Sequence, residues 1–407
     1  MKIVVQKFGG TSLINESLRE KAADHVSKAI NDGYKVVVVV SAMGRSGDPY
    51  ATDSLLNLVG GNNTSVSNRE LDLLASCGET ISSVVFSNLL NNQGLKALAM
   101  TGAQAGFRTN EDYTNAKIIE MKVESLKVHL ETYDIIVVTG FQGETPSGTT
   151  ATLGRGGSDT SATALGAALK AEVVDIFTDV AGVMTADPRI VKSAKPLSVV
   201  TYNEICNMAY QGAKVIHPRA VEVAMQAKIP IRIRSTYTDG EGTLITSSTT
   251  KTVGRDVEER PITGIAHVKN VTQIKVLSNE GEYNLQTKVF KAMARGGISV
   301  DFISIHPLGV AYTVSDEVAD KAVAILKELD LSPQILRHCA KVSAVGAGMT
   351  GVPGVTSRIV EALASRNIQI LQSADSHTTI WVLVKEEDMV DAVNALHEMF
   401  LLSQEDI

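Results

Sequence analysis

The first 180 residues alternate between apolar, β-branched runs and segments with helical periodicity. Unbroken apolar strands separated by helices are typical of a mainly parallel sheet that is covered on both faces. The apolar runs predict strands at Ile3–Gln6, Val36–Val40, Ile135–Val138 and Val173–Phe177. The helical pattern predicts helices at Leu18–Asp32, Leu71–Asn91 and Thr160–Leu169. The predicted fold class of this part is therefore α/β.

The last third of the chain repeats itself. Lys288–Val300 matches Arg358–Ile370, 70 residues later, with apolar positions paired along both copies. Each copy predicts an amphipathic helix, a short turn and a strand, with further strands at Thr272–Leu277 and Ile380–Val384. A strand–helix–strand unit used twice predicts two small α+β modules packed side by side.

A polar, turn-rich stretch separates these two parts. Residues 238–262 contain T-D-G-E-G and S-S-T-T-K-T-V-G-R-D-V-E-E-R-P, which suit a linker or an irregular hairpin. We expect a catalytic domain at 1–248, a linker at 249–262, a first module at 263–340 and a second module at 341–407.

Composition narrows the class of protein. The chain of 407 residues has 44% hydrophobic and 20% charged residues, the balance of a soluble globular protein. A net charge of −7 and 4% aromatic residues argue against a nucleic-acid partner. The N-terminal M-K-I-V-V-Q-K-F-G-G predicts a strand and a glycine turn, and the longest apolar runs are strand-length. We therefore expect a cytoplasmic protein without a membrane partner.

Glycine-rich turns follow several predicted strands. Gly9-Gly10 follows the first strand, Ser41–Gly44 follows the second, and T-L-G-R-G-G-S-D-T-S-A (Thr152–Ala162) precedes a predicted helix. In such sheets ligands bind beyond the carboxyl ends of the strands. The third loop fits neither common phosphate-binding fingerprint, so its arginine and aspartate need a separate explanation.

The side chains in these turns indicate phosphoryl transfer. Lys7, before the two glycines, could meet phosphate, although a tight turn with a surface lysine is the plain alternative. Arg155 suits a carboxylate or a phosphate, whereas Asp159 suits a cation; a simple helix cap with a surface ion pair would leave the glycines unexplained. No side chain is placed as an obvious general base. This favours an acceptor that is already an anion, such as a carboxylate with a pKa of about 4.

Five motifs together carry a family resemblance: K-F-G-G-T-S from Lys7, V-S-A-M-G from Val40, the loop from Thr152, F-T-D-V-A-G-V-M-T-A-D-P-R from Phe177 and G-A-K-V-I-H-P-R from Gly212. They resemble the aspartokinases of the amino acid kinase superfamily, and the repeat resembles their two C-terminal ACT modules. Further motifs, such as T-G-A-Q-A-G-F from Thr101, resemble the diaminopimelate-sensitive type of Bacillus-like bacteria.

The resemblance implies an amino acid kinase fold and transfer of the ATP γ-phosphoryl to the side-chain carboxylate of L-aspartate, with Mg²⁺ accompanying ATP. It implies feedback inhibition through the ACT modules by an amino acid, meso-diaminopimelate in this type, and a homodimer formed through those modules. It assigns no protein residue as a metal ligand. The product, 4-phospho-L-aspartate, leads toward diaminopimelate and lysine, threonine and methionine.

The same resemblance assigns roles to residues. The catalytic pair would be Lys7 and Asp159. The aspartate-binding residues would be Ser41, Thr52, Glu79, Arg155, Gly156, Gly157 and Ser158, with Arg155 on a carboxylate, Glu79 on the ammonium group and Thr52 placed after a longer loop than in many relatives. ATP would contact Lys7, Gly9, Gly10, Thr178, Asp179, Met184, Arg189, Lys214 and Val215. The effector would bind near Gly296, Gly297, Asp301 and Ile303.

Two other functions fit parts of this pattern. Another carboxylate kinase of the superfamily would share the loops, but such relatives lack tandem ACT modules. An amino-acid sensor with a degenerate kinase domain would keep the modules, but it would not need Lys7, Glu79, Arg155 and Asp159 intact.

Overall fold

The computed structural model describes residues 1–213, 215–247, 261–278, 284–347, 349 and 352–404. The described residues form two compact units. The first contains residues 1–183, 196–209 and the described residues from 215 to 247. The second contains residues 184–195, 210–213 and the described residues from 261 onward.

The first unit carries twelve strands. They are β1 (Ile3–Phe8), β2 (Lys35–Val40), β3 (Ala97–Met100), β4 (Phe107–Thr109), β5 (Ile118–Met121), β6 (Ile135–Thr139), β7 (Gln142–Glu144), β8 (Thr150–Thr152), β9 (Val173–Thr178), β10 (Val199–Thr201), β11 (Ile231–Ser235) and β12 (Thr243–Thr246).

Nine helices accompany these strands, together with a 3₁₀ turn at Gly61–Asn63. They are α1 (Gly10–Leu13), α2 (Glu16–Asn31), α3 (Thr52–Asn57), α4 (Asn68–Asn92), α5 (Gly102–Ala105), α6 (Glu124–Thr132), α7 (Gly157–Leu169), α8 (Tyr202–Tyr210) and α9 (Pro218–Ala227).

The main sheet has eight strands in the order β10-β12-β11-β9-β1-β2-β6-β3. The central strands β9, β1, β2 and β6 pair in parallel, so their carboxyl ends meet at one edge. One face of β2, at Val36, Val38 and Val40, packs with apolar side chains of α2 and α4. The other face is covered by α7, which packs on β1 and β2. This is the predicted three-layer α/β arrangement, and the fold class is confirmed.

The predicted elements of this unit are present with small shifts at their ends. All four strands formed by apolar runs are found. At the carboxyl end β1 extends two residues beyond the prediction and β6 and β9 one each, and β2 extends one residue at the amino end. The helix predicted at Leu71–Asn91 begins earlier, at Asn68, because Ser67 and Glu70 form a reciprocal cap at its start. By length and composition α4 could cross a membrane, but half of its most apolar stretch is buried in the protein.

The second unit carries six strands and four helices among its described residues, with a 3₁₀ turn at Glu386–Asp388. The strands are β13 (Gly264–Leu277), β14 (Asp301–His306), β15 (Gly309–Ser315), β16 (Gln334–Val345), β17 (Gln372–Asp375) and β18 (Thr379–Lys385). The helices are α10 (Leu285–Arg295), α11 (Asp316–Glu328), α12 (Val355–Ser365) and α13 (Met389–Met399).

The repeat seen in the sequence is present in this unit. Helix α12 begins and ends 70 residues after α10, and β18 does the same relative to β15. The six strands form one sheet in the order β14-β15-β13-β16-β18-β17, with one module in each half. Two separate apolar cores lie against it, one built around Val289 and Tyr312 and the other around Ile359 and Val382. The two modules therefore pack side by side, as predicted.

The structure bears on the predicted domain limits at three points. Residues 184–195 and 210–213, predicted to lie in the catalytic domain, group with the second unit. Most of the linker at 249–262 lies outside the described residues. Strand β16 runs across the predicted module limit at residue 341.

Candidate active site

A cavity of about 560 Å³ opens at the carboxyl edge of the main sheet. It lies where the parallel arrangement brings the turns after β1, β2 and β6 together. Ten of the residues predicted for catalysis or binding line it: Lys7, Gly10, Ser41, Thr52, Glu79, Arg155, Gly156, Gly157, Ser158 and Asp159.

Lys7 and Asp159 form an ion pair beside this cavity. The Lys7 ammonium lies 2.7 Å from Asp159 Oδ1, and both side chains are largely buried. Lys7 sits near the end of β1, and Asp159 lies in the first turn of α7. A strand and a helix therefore fix the position of the ammonium group together. An ammonium group held by one carboxylate in this way has a fixed position beside the cavity.

The turns after β1 and β2 approach each other closely. A Cβ on Gly10 would lie 2.5 Å from the carbonyl oxygen of Ala42 and 2.6 Å from that of Gly44. Only glycine allows this approach, which brings the start of α1 next to the Ser41 turn. The Ser41 amide in turn donates to the carbonyl of Phe8, at 3.2 Å.

Glu79 enters the cavity from the middle of α4 and is buried. Its Oε1 accepts a hydrogen bond from the Ala42 amide at 3.0 Å, whereas Oε2 has no hydrogen-bond partner among the described residues. Burial raises the pKa of Glu79 to about 8, and the Ala42 amide opposes this rise only in part. A buried carboxylate with a spare oxygen suits a ligand that brings its own positive charge.

The loop of residues 152–156, called the glycine loop, ends at the amino end of α7. Gly156 caps this helix with a φ of 69°, and a Cβ there would lie 2.2 Å from Cγ of His217. The loop holds Arg155 at the cavity, where its exposed guanidinium makes no hydrogen bond or ion pair with any described residue. Together with the amino end of α7, Arg155 offers an anion both a free positive charge and N–H donors.

Thr52 begins α3 and lines the cavity despite the longer preceding loop. Within that loop, Arg45 also lines the cavity, and its guanidinium lies 2.9 Å from Asp179 Oδ2. Asp179 therefore has a protein partner in addition to the predicted contact with ATP.

Several residues predicted for ATP are not in the cavity lining. Gly9, Thr178, Asp179 and Val215 belong to the first unit but not to the lining, and Met184 and Arg189 fall in the second unit. Arg189 forms an ion pair with Asp187 at 2.7 Å. Lys214 lies outside the described residues. The ATP contacts of all seven stay predictions.

The structure adds lining residues that sequence reasoning missed. Thr114 and Phe141 both line the cavity, and both adopt a positive φ, of 70° and 69°. Phe141 follows β6, so the rule about carboxyl ends could have found it. Nothing in the sequence around Thr114 indicates its position.

The predicted effector residues lie after α10 in the first module. Asp301 accepts the Phe302 amide at 2.8 Å and forms an ion pair with the ammonium of Lys341, which comes from β16. Gly296 and Gly297 end α10, and Ile303 follows in β14 with its side chain partly exposed. Nearby, Gln273 donates to Gln372 at 2.7 Å. Sequence reasoning missed Lys341, Gln273 and Gln372.

Comparison with known proteins places these features in a family. The amino acid kinase family model matches residues 2–235, and the ACT domain model matches residues 334–398. Aspartokinase 1 of Bacillus subtilis is 66% identical over 404 residues, which cover 99% of this chain and all of that protein.

Solved structures agree with this relationship. Aspartokinase III of E. coli in complex with aspartate and ADP has a TM-score of 0.77 and 27% identity, covering 98% of this chain and 100% of that one. The same enzyme with lysine and aspartate has a TM-score of 0.75 and 27% identity, covering 97% and 99% of the two chains. The resemblance carried by the five motifs is thus confirmed, and the chain belongs to the aspartokinases of the amino acid kinase family.

Proposed function

We propose that this chain, an ATP-dependent aspartate kinase, binds L-aspartate in the cavity with its ammonium group on Glu79 and a carboxylate on Arg155. One observation carries the assignment: a single cavity presents a guanidinium and a buried carboxylate oxygen, both unpartnered among the described residues. These are the two charges that recognise the backbone end of an amino acid. Ser41, Thr52, Gly156, Gly157 and Ser158 complete the contacts.

The transfer step needs no general base. An oxygen of the side-chain carboxylate of aspartate attacks the γ-phosphorus of ATP, the new O–P bond forms, and the bond to the β-phosphate oxygen breaks. ADP leaves with the bonding electrons, and no proton moves. The obstacle is repulsion between two anions, which Lys7 lowers because Asp159 holds its ammonium at the point where charge accumulates.

ATP is expected to enter as its Mg²⁺ complex, with its phosphates on Lys7, Gly9 and Gly10. Mg²⁺ commonly binds substrate phosphates and water together with one or two carboxylates. The cavity carries the carboxylates Asp53, Glu79 and Asp159, and we propose that the nucleotide phosphates and water hold most of the ion's coordination. Thr178, Asp179, Met184, Arg189, Lys214 and Val215 are the proposed remaining nucleotide contacts.

The proposed regulator is an amino acid bound by the ACT modules at Gly296, Gly297, Asp301 and Ile303, and meso-diaminopimelate is the proposed identity. This molecule carries two ammonium and two carboxylate groups. Asp301 and Lys341 offer one partner for each sign of charge. An amino-acid effector is also consistent with the E. coli enzyme solved with lysine.

A homodimer through the ACT modules is proposed from the free edge of their sheet. Strand β14 is an edge strand, and Ile303, Ile305 and Leu308 in and beside it are exposed. Within the part of the chain that the structure describes, this apolar edge has no neighbouring strand, which favours pairing with another chain. A cytoplasmic location is proposed because ATP and L-aspartate are both available there. The domain limits given by the sequence stay a proposal.

The activity is tested by trapping the acyl phosphate with hydroxylamine in the presence of ATP, Mg²⁺ and L-aspartate. We expect hydroxamate that depends on L-aspartate and is lost in Lys7→Ala. Glutamate and acetylglutamate serve as controls for other carboxylate kinases. Hydroxamate formed equally well with these acids, or none with L-aspartate, would contradict the proposal.

A further inference from the structure

The backbone just before Arg155 is fixed on every side. The Thr152 amide donates to Asp72 at 2.8 Å, and the Thr152 carbonyl accepts from the Ala116 amide at 2.8 Å. The Leu153 amide donates to the Phe141 carbonyl at 2.8 Å. All these partners belong to other segments of the first unit, so the start of the glycine loop has little freedom.

Arg219 binds two backbone carbonyls of the same region. Its Nη1 donates to the carbonyl of Leu153 and its Nη2 to that of Ala116, both at 3.1 Å. The planar guanidinium thus joins the glycine loop to the segment around Thr114 through one rigid group. A lysine at this position could not hold both carbonyls in the same geometry.

Asp72 makes a second link between the same two segments. Its Oδ2 accepts from the amides of Thr152 and Thr114, and its Oδ1 accepts from the Thr152 hydroxyl at 2.6 Å. The side chain is buried on α4, two turns before Glu79 on the same helix. One rigid helix therefore holds the Thr152 end of the loop through Asp72 and the Ser41 turn through Glu79 and Ala42.

We propose that Asp72, with Arg219 on the other side, is a positioning residue that sets where Arg155 meets the carboxylate of aspartate. The inference rests on the proposed function of Arg155. Neither Asp72 nor Arg219 lines the cavity, so both act through the loop. Loss of Asp72 leaves the buried Thr152 amide without an acceptor and releases the Thr114 amide as well, which favours movement of the loop.

We expect the hydrogen bonds of Asp72, and not its charge, to hold the loop. Burial raises its pKa, and its three hydrogen bonds oppose that rise only in part. An asparagine could accept both amides with its oxygen and donate from its NH₂ to the Thr152 hydroxyl, which would turn from donor to acceptor. Asp72→Asn would therefore keep the hydrogen-bond geometry of the side chain and remove its charge.

The test measures KM for aspartate and for ATP separately in Asp72→Ala and Asp72→Asn. We expect Asp72→Ala to raise KM for aspartate at least tenfold with KM for ATP within twofold. Asp72→Asn should remain within about threefold of wild type for both. Arg219→Lys should raise KM for aspartate by an intermediate factor.

Glu204 provides the matched control. This buried carboxylate accepts with Oε2 from the amide of Thr201 at 2.8 Å and from its hydroxyl at 2.6 Å, so it binds a threonine through the same two donors, but locally at the start of α8. Glu204→Ala should lower the melting temperature and leave KM for aspartate within twofold. An Asp72→Ala effect on KM for aspartate no larger than that of Glu204→Ala would overturn the proposal, as would equal changes in both KM values.

A milder variant covers the case in which Asp72→Ala does not fold. Thr152→Val removes only the hydroxyl, whereas Thr152→Ser retains it. We expect a rise of about threefold in KM for aspartate in the first and none in the second; no difference between the two would count against the proposal. Because wild-type hydroxamate formation is measured first, failure of the proposed activity is distinguishable from failure of this inference.

Discussion

Glu79 shows how one buried residue can set the pH dependence of the enzyme. With its pKa raised to about 8, the carboxyl group is mostly neutral at pH 7 when no substrate is bound. A neutral carboxyl attracts an ammonium group weakly. We therefore expect kcat/KM for aspartate to rise with pH and to level off above an apparent pKa near 8, while KM for ATP changes little.

Glu79→Gln tests this assignment. The amide keeps the acceptor for Ala42 but has no charge to gain, so the rise near pH 8 should disappear and kcat/KM for aspartate should stay low. A profile with the same rise in Glu79→Gln would assign the titration to another group. The pH–rate profile for both proteins, with saturating ATP, is the measurement.

The same group affects stability in a direction that can be checked independently. The pKa of Glu79 in the folded protein lies above its unfolded value of 4.5, so the folded state binds the proton more tightly. The wild type should lose stability as pH rises from about 4.5 to 8, and Glu79→Gln should not show this loss. Urea unfolding at pH 5 and pH 9, without substrate, compares the two.

At the scale of elements, the glycine loop depends on the conformation of Gly156. Gly156→Ala combines a positive φ of 69° with a Cβ only 2.2 Å from the ring of His217, so the loop must shift. We expect a loss of stability and a KM for aspartate raised by about tenfold or more. Gly148→Ala is a matched control because its φ is 75° and no atom lies within 4 Å of the new Cβ. It should show only the backbone cost of about 1 kcal/mol.

Thermal unfolding and aspartate kinetics of the two variants separate backbone strain from the clash. Equal losses of stability in Gly156→Ala and Gly148→Ala would mean that the contact with His217 has no effect on stability.

The elements also show which parts of the structure the sequence could predict. The β-branched runs predicted the central strands because those strands are buried on both faces. The start of α4 was predicted three residues late because its first turn is polar and is defined by the Ser67–Glu70 cap.

Long-range contacts account for most of the remaining differences at the site. Asp72 and Arg219 look like ordinary helix residues, since their partners Thr152 and Leu153 lie 80 and 66 residues away in the chain. The amide of Thr114 likewise binds Asp72, which lies 42 residues away in the chain. By contrast, the pairing of Lys7 with Asp159 could be anticipated, because both sit in motifs at the carboxyl edge of a parallel sheet.

At the scale of the whole molecule, the two ACT modules share one sheet, and Lys341 from β16 reaches Asp301 at the start of β14. The sequence repeat predicted both modules, but it could not indicate this pair, since the two residues occupy unrelated positions in the two copies. A charged effector that binds there must replace or extend the pair.

The effector site is tested by Asp301→Asn, which keeps the size of the side chain and removes its charge. We expect the meso-diaminopimelate concentration for half-inhibition to rise at least tenfold, because an ammonium group of the effector loses its partner; couplings of about 1–3 kcal/mol correspond to changes of this size. Lysine and threonine are assayed in parallel to identify the effector. Each rate is divided by the uninhibited rate of the same variant.

Asp320→Asn is the matched control for this last experiment. Asp320 also forms an ion pair with a cation of the same unit, Arg337, but it lies on α11 and not at the predicted effector residues. The meso-diaminopimelate concentration for half-inhibition of Asp320→Asn should stay within twofold of the wild-type value. If Asp301→Asn behaves like Asp320→Asn with every effector tested, the regulatory amino acid does not bind at Asp301.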